Sequence, residues 1–249
     1  MENLLTDREF WVNFWKQRTD LSVTIPANYL FYKELAQIIK TQDVKTAIEL
    51  GGFPGFYCVF LKKYFQLDVT LLDYFIYQPI INQLLEINNL QEKDINVIET
   101  DLFTYKPNQQ YDLVLSFGLI EHFNDTADII NRHIAFLKPG GTLFITLPNF
   151  KAVNGWFQKN FDKENYDKHN INCMNPQLLR EIVEKIGLNV LQARYFGKFS
   201  LWLENEREKP AGLRIFKKAI WLLGKVFTKI FPFDSKQLSP YIIIEAKKD

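Results

Sequence analysis

The chain has 249 residues, with 30 lysines and arginines against 29 aspartates and glutamates, and 47% of its residues are hydrophobic. That length suits one α/β domain with a full core and some additions. A net charge of +1 provides no global field of the kind that attracts nucleic acid, so we predict no nucleic-acid partner. No run of ~18 apolar residues occurs, which argues against a membrane-spanning segment.

The cysteines and the amino-terminal segment bear on the cellular compartment. Cys58 and Cys173 fit neither a metal-ligand spacing nor a disulfide framework, which is typical of a reducing cytoplasm. Residues 1–8 lack the basic segment and apolar core of a secretory signal. We therefore expect a cytoplasmic protein.

The amino-terminal part is predicted to be helical. Between Asp7 and Arg18 the apolar residues recur at i, i+1, i+4 and i+5, which is one face of a helix. These residues are Phe10, Trp11, Phe14 and Trp15. Pro26 favours a second helix from Ala27 to Lys40. Residues 1–43 thus form a predicted helical cap, whose aromatic face either borders a ligand site or only covers a sheet edge.

A glycine-rich turn follows the first predicted strand. The strand over residues 46–50 carries Glu49, and the turn contains Gly51, Gly52 and Gly55. Glycines let the backbone approach a ligand closely, and Glu49 supplies an acceptor for a cation or a hydroxyl. Because the turn lacks the Gly-Lys-Ser/Thr ending of triphosphate-binding loops, phosphate binding is the weaker interpretation. The turn therefore indicates a nucleotide-like cofactor.

Strands and helices then alternate, which predicts a parallel sheet with helices on both faces. The second strand, over 67–73, ends on Asp73, at the offset of about 20 residues where doubly wound folds place a ribose-binding acid. The next strands are predicted over 95–99, 111–117 and 142–149. Polar residues or glycines follow their carboxyl ends, so a ligand site is expected along that edge.

An irregular segment from Pro148 to Asn170 follows the fifth strand. Long loops at this edge of such a sheet are more often functional than decorative, so we expect it to determine substrate specificity. Its candidate residues are Asn149, Trp156, Tyr166 and His169. A helix over 176–186 and a sixth strand over 188–193 are predicted next.

The segment from Leu213 to Phe231 has an amphipathic pattern at 100° per residue. One side contains Arg214, Lys217, Lys218, Trp221, Gly224, Lys225, Thr228 and Lys229. The other side contains Leu213, Ile215, Phe216, Ala219, Ile220, Leu222, Leu223, Val226, Phe227, Ile230 and Phe231. No acid occurs from Lys209 to Phe233. Two interpretations stay open: peripheral contact with a membrane, or a lid or dimer helix whose apolar face packs on protein.

This ordered set of motifs resembles the class I S-adenosylmethionine-dependent methyltransferases, and among them the small-molecule group that includes the ubiquinone-biosynthesis O-methyltransferases. The resemblance covers roughly residues 44–198 and the last strand near 240–247. It implies a Rossmann-like, mostly parallel seven-stranded sheet with an antiparallel last strand, over residues 44–249, with a helical insertion at about 199–239. It also implies S-adenosylmethionine as cofactor, S-adenosylhomocysteine as product, and a cap that lies over the cofactor cleft, with Phe14 and Trp15 near the substrate.

The resemblance assigns cofactor contacts by position. The methionine part of the cofactor would be surrounded by Glu49, Gly51, Gly52 and Gly55, and by Ser116, Phe117 and Gly118. The ribose would be bound by Asp73, and the adenine would be contacted by Tyr74, Asp101 and Leu102. Two positions depart from the pattern. Phe53 stands where the middle glycine of the turn would be. Gly118 replaces the first acid of the Glu-x-x-Glu-His metal motif of some relatives, so we predict no bound magnesium.

Methyl transfer to oxygen is a direct displacement that also requires removal of a proton. Histidine suits that task near neutral pH, and the candidates are His169 and His122, whereas His133 and Glu121 are expected to be structural. The predicted function is O-methylation of a small molecule or of a lipid- or glycan-linked intermediate. A non-catalytic binding protein and a nicotinamide-dependent oxidoreductase are the alternatives, and monomer or homodimer is left open.

Overall fold

A computed structural model describes residues 4–18 and 21–249. Parts of the predicted cap (1–43) and of the segment 1–8 therefore lie outside the described residues. The helices are α1 (Arg8–Lys16), α2 (Tyr32–Gln42), α3 (Phe56–Phe65), α4 (Gln78–Ile87), α5 (Thr126–Ile134), α6 (Ala152–Phe161), α7 (Lys163–Asp167), α8 (Pro176–Lys185) and α9 (Ala211–Ile230). The strands are β1 (Thr46–Leu50), β2 (Asp68–Asp73), β3 (Ile95–Glu99), β4 (Tyr111–Phe117), β5 (Leu137–Pro148), β6 (Leu188–Phe196) and β7 (Tyr241–Lys248).

The strands form one seven-stranded sheet in the order β3-β2-β1-β4-β5-β7-β6. Strands β1 to β5 pair in parallel, and β7 is antiparallel to both β5 and β6. Two apolar clusters cover its two faces, one built on α2, α3 and α4 and the other on α5 and α8. The predicted Rossmann-like sheet with helices on both faces is confirmed.

The sheet order determines where a ligand can bind. The central strands β1 and β4 are buried along most of their length, as expected for parallel strands covered on both faces. The chain reverses its direction of winding between them, because β2 and β3 lie on one side of β1 while β4 and β5 lie on the other. In open α/β sheets such a switch point forms a crevice at the carboxyl ends of the strands.

Several predicted bounds differ from the structure, and β5, for example, begins at Leu137 and not at residue 142. The second helix begins at Tyr32 and not at Ala27, because Phe31 adopts a left-handed φ of 64° that a helix cannot contain. Burial of the Phe31 ring against Phe117 and Tyr241 holds that conformation. The segment from Pro148 to Asn170 is not an irregular loop, since most of it forms α6 and α7. Within the described part of the chain, no helix combines the length and apolar character needed to cross a bilayer.

Candidate active site

A cleft lies at the carboxyl ends of β1, β2 and β4, with α1 as its cover. Its walls combine backbone at the two glycine turns, strand-end acids and the aromatic residues of the cap. The lining residues are Leu4, Thr6, Trp11, Trp15, Gly51, Leu72, Asp73, Tyr74, Thr100, Asp101, Leu102, Phe103, Gly118, Leu119, His122 and Phe123. Six of the expected cofactor residues therefore meet here: Gly51, Asp73, Tyr74, Asp101, Leu102 and Gly118.

Backbone forms two walls of the cleft. Gly51 and Gly118 have φ values of 64° and 71°, in the left-handed region that favours glycine. A Cβ at Gly51 would lie 2.5 Å from Cδ1 of Leu119, so a side chain there would displace the opposite wall. These positions leave room for a ligand to approach the main chain.

Asp73 lies at the base of the cleft and is nearly buried. Its Oδ2 accepts a hydrogen bond from the amide of Phe53 at 2.9 Å, and its Oδ1 accepts one from the amide of Phe75 at 3.0 Å. Burial raises the pKa of Asp73 to about 6, although these amide bonds oppose the shift. Each carboxylate oxygen keeps a second lone pair, so the group can still accept hydrogen bonds from a ligand diol.

The residues expected to contact the adenine form one rim of the cleft. The Oδ1 atom of Asp101 accepts from the amide of Phe103 at 2.8 Å, which fixes the turn that carries Leu102. Arg8 of α1 donates to the carbonyl oxygen of Tyr74 at 3.3 Å and pairs with Glu99 at 2.9 Å. The cap helix is thereby attached to the same rim.

Glu49, Gly52 and Gly55 do not line the cleft that the described residues form. The carboxylate of Glu49 accepts a hydrogen bond from the amide of Cys58 at 3.0 Å. A Cβ at Gly52 would lie 2.3 Å from the Cδ atom of Glu49, so this glycine accommodates the glutamate and not a ligand. Burial raises the pKa of Glu49 to about 8, with a further contribution from the charge of Asp73.

Ser116 and Phe117, expected in the methionine loop, point away from the cleft. The Oγ atom of Ser116 lies 2.9 Å from Nε2 of His133, inside the core. The ring of Phe117 stacks on Tyr57 at 3.4 Å between centroids. Alternation of side chains along β4 places both away from the site, which leaves Gly118 as the member of this trio that lines it. His133 is fully buried, and its Nδ1 bonds the carbonyl of Ile129 at 2.8 Å.

The two candidate catalytic histidines contact each other, with ring centroids 4.7 Å apart. Only His122 lines the cleft, where its ring meets the edge of Trp11 at 4.9 Å. Its Nδ1 lies 3.1 Å from the carbonyl of Lys168, and Nδ1 of His169 lies 2.6 Å from the carbonyl of Asn165. Because a carbonyl can only accept, both Nδ1 atoms carry the proton and both Nε2 atoms have a free lone pair. Burial lowers the pKa of His122 to about 3 and that of His169 to about 4.

Hydrogen bonds between two segments bring these histidines together. The amide of Asn170 donates to the carbonyl of Glu121 at 2.6 Å, and its side chain donates to the carbonyls of Phe123 and Asn124. The chain after α7 is thus attached to the short 3-10 turn after β4. The sequence offered no signal for this contact, since the two segments are far apart along the chain.

Most of the expected substrate residues lie elsewhere. Asn149 is fully buried, and its amide donates to the carbonyls of Lys236 and Ser239, so it holds two chain segments together. Trp156 is 52% exposed on α6 and packs on Phe157 and Phe161. Tyr166 stacks on Phe150. In a sequence, polar and aromatic residues of this kind resemble the lining of a pocket even where the folded chain places them outside one.

The cap contributes more than the sequence indicated. Trp15 lines the cleft as expected, whereas Phe14 borders a separate groove with Arg18, whose guanidinium lies 4.1 Å from the Phe14 ring centroid. Trp11 also lines the cleft. It belongs to the same aromatic pattern but was not among the predicted substrate residues. Thr6 was missed as well; its Oγ1 is buried without a hydrogen-bond partner among the described residues.

Glu121, His122 and His169 each offer one possible metal-ligand atom, and these atoms lie within 4.8 Å of one another. The donors are two imidazoles and one carboxylate, and Gly118 supplies no second acid. Magnesium requires a set of oxygen ligands, so the cluster does not fit that ion. The absence of a magnesium requirement stays a prediction.

Comparisons with known proteins agree with this geometry. Residues 26–193 match the family described as Methyltransferase domain. Over 64 residues the chain is 33% identical to the mitochondrial ubiquinone biosynthesis O-methyltransferase of Dictyostelium discoideum. That match covers 24% of this chain and 20% of that protein. Over 134 residues it is 27% identical to a probable (S)-tetrahydroprotoberberine N-methyltransferase 2 of Papaver bracteatum, covering 53% of this chain and 36% of that protein. The matches therefore span well under half of each curated relative.

Solved structures share the fold. An S-adenosylmethionine-dependent methyltransferase from Archaeoglobus fulgidus superposes with a TM-score of 0.56 at 16% identity, covering 97% of this chain and all of that one (100%). Phosphoethanolamine N-methyltransferase 2 of Haemonchus contortus, solved with S-adenosylmethionine, gives a TM-score of 0.58 at 15% identity, covering 87% of this chain and 52% of that one.

The carboxyl group of Glu121 leads to a prediction on stability. It is buried, its Oε2 has no hydrogen-bond partner among the described residues, and burial raises its pKa to about 8 from 4.5. The folded state therefore keeps a proton that the unfolded state releases between these values, so stability falls as pH rises through that window. The buried histidines have lowered pKa values, so they change the pH dependence of stability only below about pH 6.5. Between pH 6.5 and 8 the pH dependence therefore comes from the buried carboxyl groups.

Glu121→Gln should remove the contribution of this one group, because glutamine resembles the protonated acid. Between pH 6.5 and 8 the proton on Glu121 changes the free energy of unfolding by up to about 2 kcal/mol. Each kcal/mol shifts the melting temperature by about 2 to 4 °C. Thermal melts across pH 6.5 to 8 should show a shallower decline for this variant than for the wild type. Glu86→Gln, at an exposed glutamate on α4, is the control and should follow the wild type. Identical slopes for all three proteins would refute the assignment.

Proposed function

The chain belongs to the methyltransferase-domain family, and on that premise we propose that it methylates an oxygen of a small molecule or of a lipid- or glycan-linked intermediate. Its cofactor is S-adenosylmethionine, which supplies an activated methyl group. One observation supports the site most strongly: a buried carboxylate, Asp73, lines the same cleft as two glycine turns whose backbone forms its walls. Family membership also disfavours the nicotinamide-dependent oxidoreductase considered from the sequence.

The cleft suits a nucleoside attached to a charged amino acid. Asp73 would accept from the ribose hydroxyls, and Tyr74, Asp101 and Leu102 would border the adenine. Thr6 lines the same cleft, and its Oγ1 is buried without a hydrogen-bond partner among the described residues. Glu49 does not line the cleft, and a nearby cationic group would favour its ionised form.

The acceptor would lie under α1, between Trp11, Trp15 and His122. Two tryptophan rings in that wall favour a flat or apolar acceptor. His122 stays unprotonated at neutral pH because burial lowers its pKa to about 3, so its Nε2 lone pair can accept a hydrogen bond from a hydroxyl and orient it. A base this weak takes the proton only as the new methyl–oxygen bond makes that hydroxyl acidic. A hydroxyl acceptor must lose a proton during methyl transfer, whereas a neutral amine can attack without losing one first, so this arrangement favours oxygen. His169 would orient His122 without touching the acceptor.

The direct experiment is transfer of a labelled methyl group from S-adenosylmethionine to panels of phenols, sugars, amines and lipid-linked glycans, with product analysis by mass spectrometry. We expect methylation within the hydroxyl-bearing panels. Methylation confined to amines would contradict the oxygen assignment while leaving the cofactor assignment intact.

Asp73→Ala should weaken binding of S-adenosylhomocysteine by about 10- to 150-fold, the range for hydrogen bonds to a charged group. Titration calorimetry measures this. Because Asp73 also accepts from the amides of Phe53 and Phe75, the melting temperature is recorded in parallel, and Asp73→Asn serves as the milder variant.

Asp112→Ala is the matched control for this experiment. Asp112 also accepts from two backbone amides, those of Lys45 and Thr46, but at the amino end of β4, opposite the cleft. Its loss should leave S-adenosylhomocysteine affinity unchanged. Unaltered affinity in Asp73→Ala, or a wild type that binds NAD in place of S-adenosylhomocysteine, would sink the cofactor assignment.

His122→Ala should lower turnover of the identified acceptor by about 100-fold, because it removes the proton acceptor at the cleft. His169→Ala should cause a smaller loss, since that ring acts through His122. Steady-state kinetics and S-adenosylhomocysteine affinity separate the effects on turnover from those on binding. A larger loss for His169→Ala would mean that His169 itself reaches the acceptor, and equal small losses would mean catalysis by positioning alone.

A further inference from the structure

Helix α9 packs on the domain through a narrow side that mixes polar and apolar residues. Thr228 is its one buried residue, and a Cβ at Gly224 would lie 1.9 Å from Cδ1 of Phe199, so that glycine lets the helix touch the Phe199 ring. Leu213 and Ile220 join the apolar cluster around Phe199. Lys217 forms an ion pair with Glu206 on the same side.

The opposite side of α9 exposes large apolar side chains. Ile215 and Leu223 are 70% and 71% exposed, and Leu222, Val226 and Ile230 each exceed 50%. Phe231 and Phe233 continue this surface past the end of the helix. The predicted apolar side is thus divided. Leu213, Phe216 and Ile220 pack on the domain, and the remaining large apolar side chains face outward. We call this surface, centred on Ile215, Leu222, Leu223, Val226 and Ile230, the α9 apolar face.

Positive charge borders the α9 apolar face along one edge. Arg214, Lys218 and Lys229 are exposed, and Lys225 lies over the ring of Trp221 at 5.2 Å from its centroid. Unlike Lys217, these four form no salt bridge within the described residues. No acid occurs between Lys209 and Phe233 to offset them. An apolar stripe next to an acid-free row of cations is complementary to an anionic lipid surface, where acyl chains lie below phosphates.

We propose that α9 docks in the interface of an anionic lipid bilayer, with its axis parallel to the membrane plane and the α9 apolar face directed toward the acyl chains. The helix is not apolar enough to cross a bilayer, which is consistent with lying on one. Arg214, Lys218, Lys225 and Lys229 contact lipid phosphates. Binding to the membrane is independent of whether the proposed methyl transfer is correct.

Charge argues against a second copy of the chain as the occupant. In an antiparallel two-fold pairing of α9 with itself, each helix would place its row of cations beside the same row of its partner. No carboxylate in this segment could compensate that repulsion. An anionic lipid surface supplies both apolar acyl chains for the α9 apolar face and negative charge for the cations.

Docking of α9 would bring the cleft near the membrane, and the role of this in catalysis rests on the proposed function. The segment before α9 is attached to the cap, since Arg18 pairs with Glu204 at 2.6 Å. It is also attached to the end of α6, since Lys209 pairs with Asp162 at 2.9 Å. A docked α9 therefore holds the cap, and with it the acceptor side of the cleft, near the membrane, where a lipid-linked acceptor would be presented.

The test is sedimentation of the full chain with vesicles of phosphatidylcholine alone and of phosphatidylcholine with phosphatidylglycerol, at about 0.1 M and about 1 M salt. We expect binding to the anionic vesicles that salt weakens. Replacing Ile215, Leu222 and Val226 together by serine should abolish it. Replacing Arg214, Lys218 and Lys229 by glutamine should weaken it about 100-fold, at roughly fivefold for each cation.

A matched control replaces Ile87 and Leu191, two exposed apolar residues on α4 and β6, by serine, and it should bind vesicles like the wild type. All these positions are exposed, and binding of S-adenosylhomocysteine on the same samples reports both correct folding and the cofactor assignment. Absence of wild-type sedimentation at low salt overturns the proposal. It is also overturned if light scattering shows a dimer that the triple serine variant converts to monomer, because the apolar face would then be a subunit interface.

Discussion

The cleft depends on one buried carboxylate that ties two turns together. Asp73 ends β2, and its two oxygens accept from the amide of Phe53 in the turn after β1 and from the amide of Phe75 in its own turn. Those bonds fix the turn after β2 against the turn after β1, on one side of the cleft in which the cofactor would lie. Burial raises the pKa of Asp73 and so opposes its ionisation, and the amides offset part of that effect. The group that would recognise the ribose is thus also the one that shapes its site.

The same bond explains how phenylalanine is accommodated where related turns carry glycine. At position 53 the turn needs an amide directed at Asp73, and any residue but proline supplies one. The Phe53 ring is buried between Trp15 of the cap and Phe75, at centroid distances of 5.3 and 5.6 Å. The departure from the family pattern therefore couples the turn to α1. The cap that covers the cleft is held by an aromatic contact where a glycine would leave a gap.

Sequence reasoning predicted the parts governed by local rules. The strands of the sheet follow from apolar runs, and Asp73, Asp101 and Gly118 follow from their places at strand ends. It failed where tertiary contacts decide. The start of α2 depends on the distant partners of Phe31, and the neighbouring positions of His122 and His169 depend on hydrogen bonds from Asn170. Asn149 and Trp156 were predicted from residue type on a segment expected to be a loop. The side chain of Asn149 is instead bonded to the carbonyls of Lys236 and Ser239, and Trp156 lies on α6, away from the cleft.

Helix α9 shows why amphipathicity alone does not determine orientation. An apolar stripe normally faces the core, because burial removes it from water. Here Gly224 removes the side chain that would keep the opposite side at a distance, and Phe199 fills that space. Lys217 on this side is neutralised by Glu206, so the contact does not bury an unpaired charge. Gly224 and this ion pair thus allow the domain to hold the helix by a mixed side, to which Leu213 and Ile220 contribute apolar contacts. The larger apolar stripe is left facing outward, next to four cations that no acid in the segment balances.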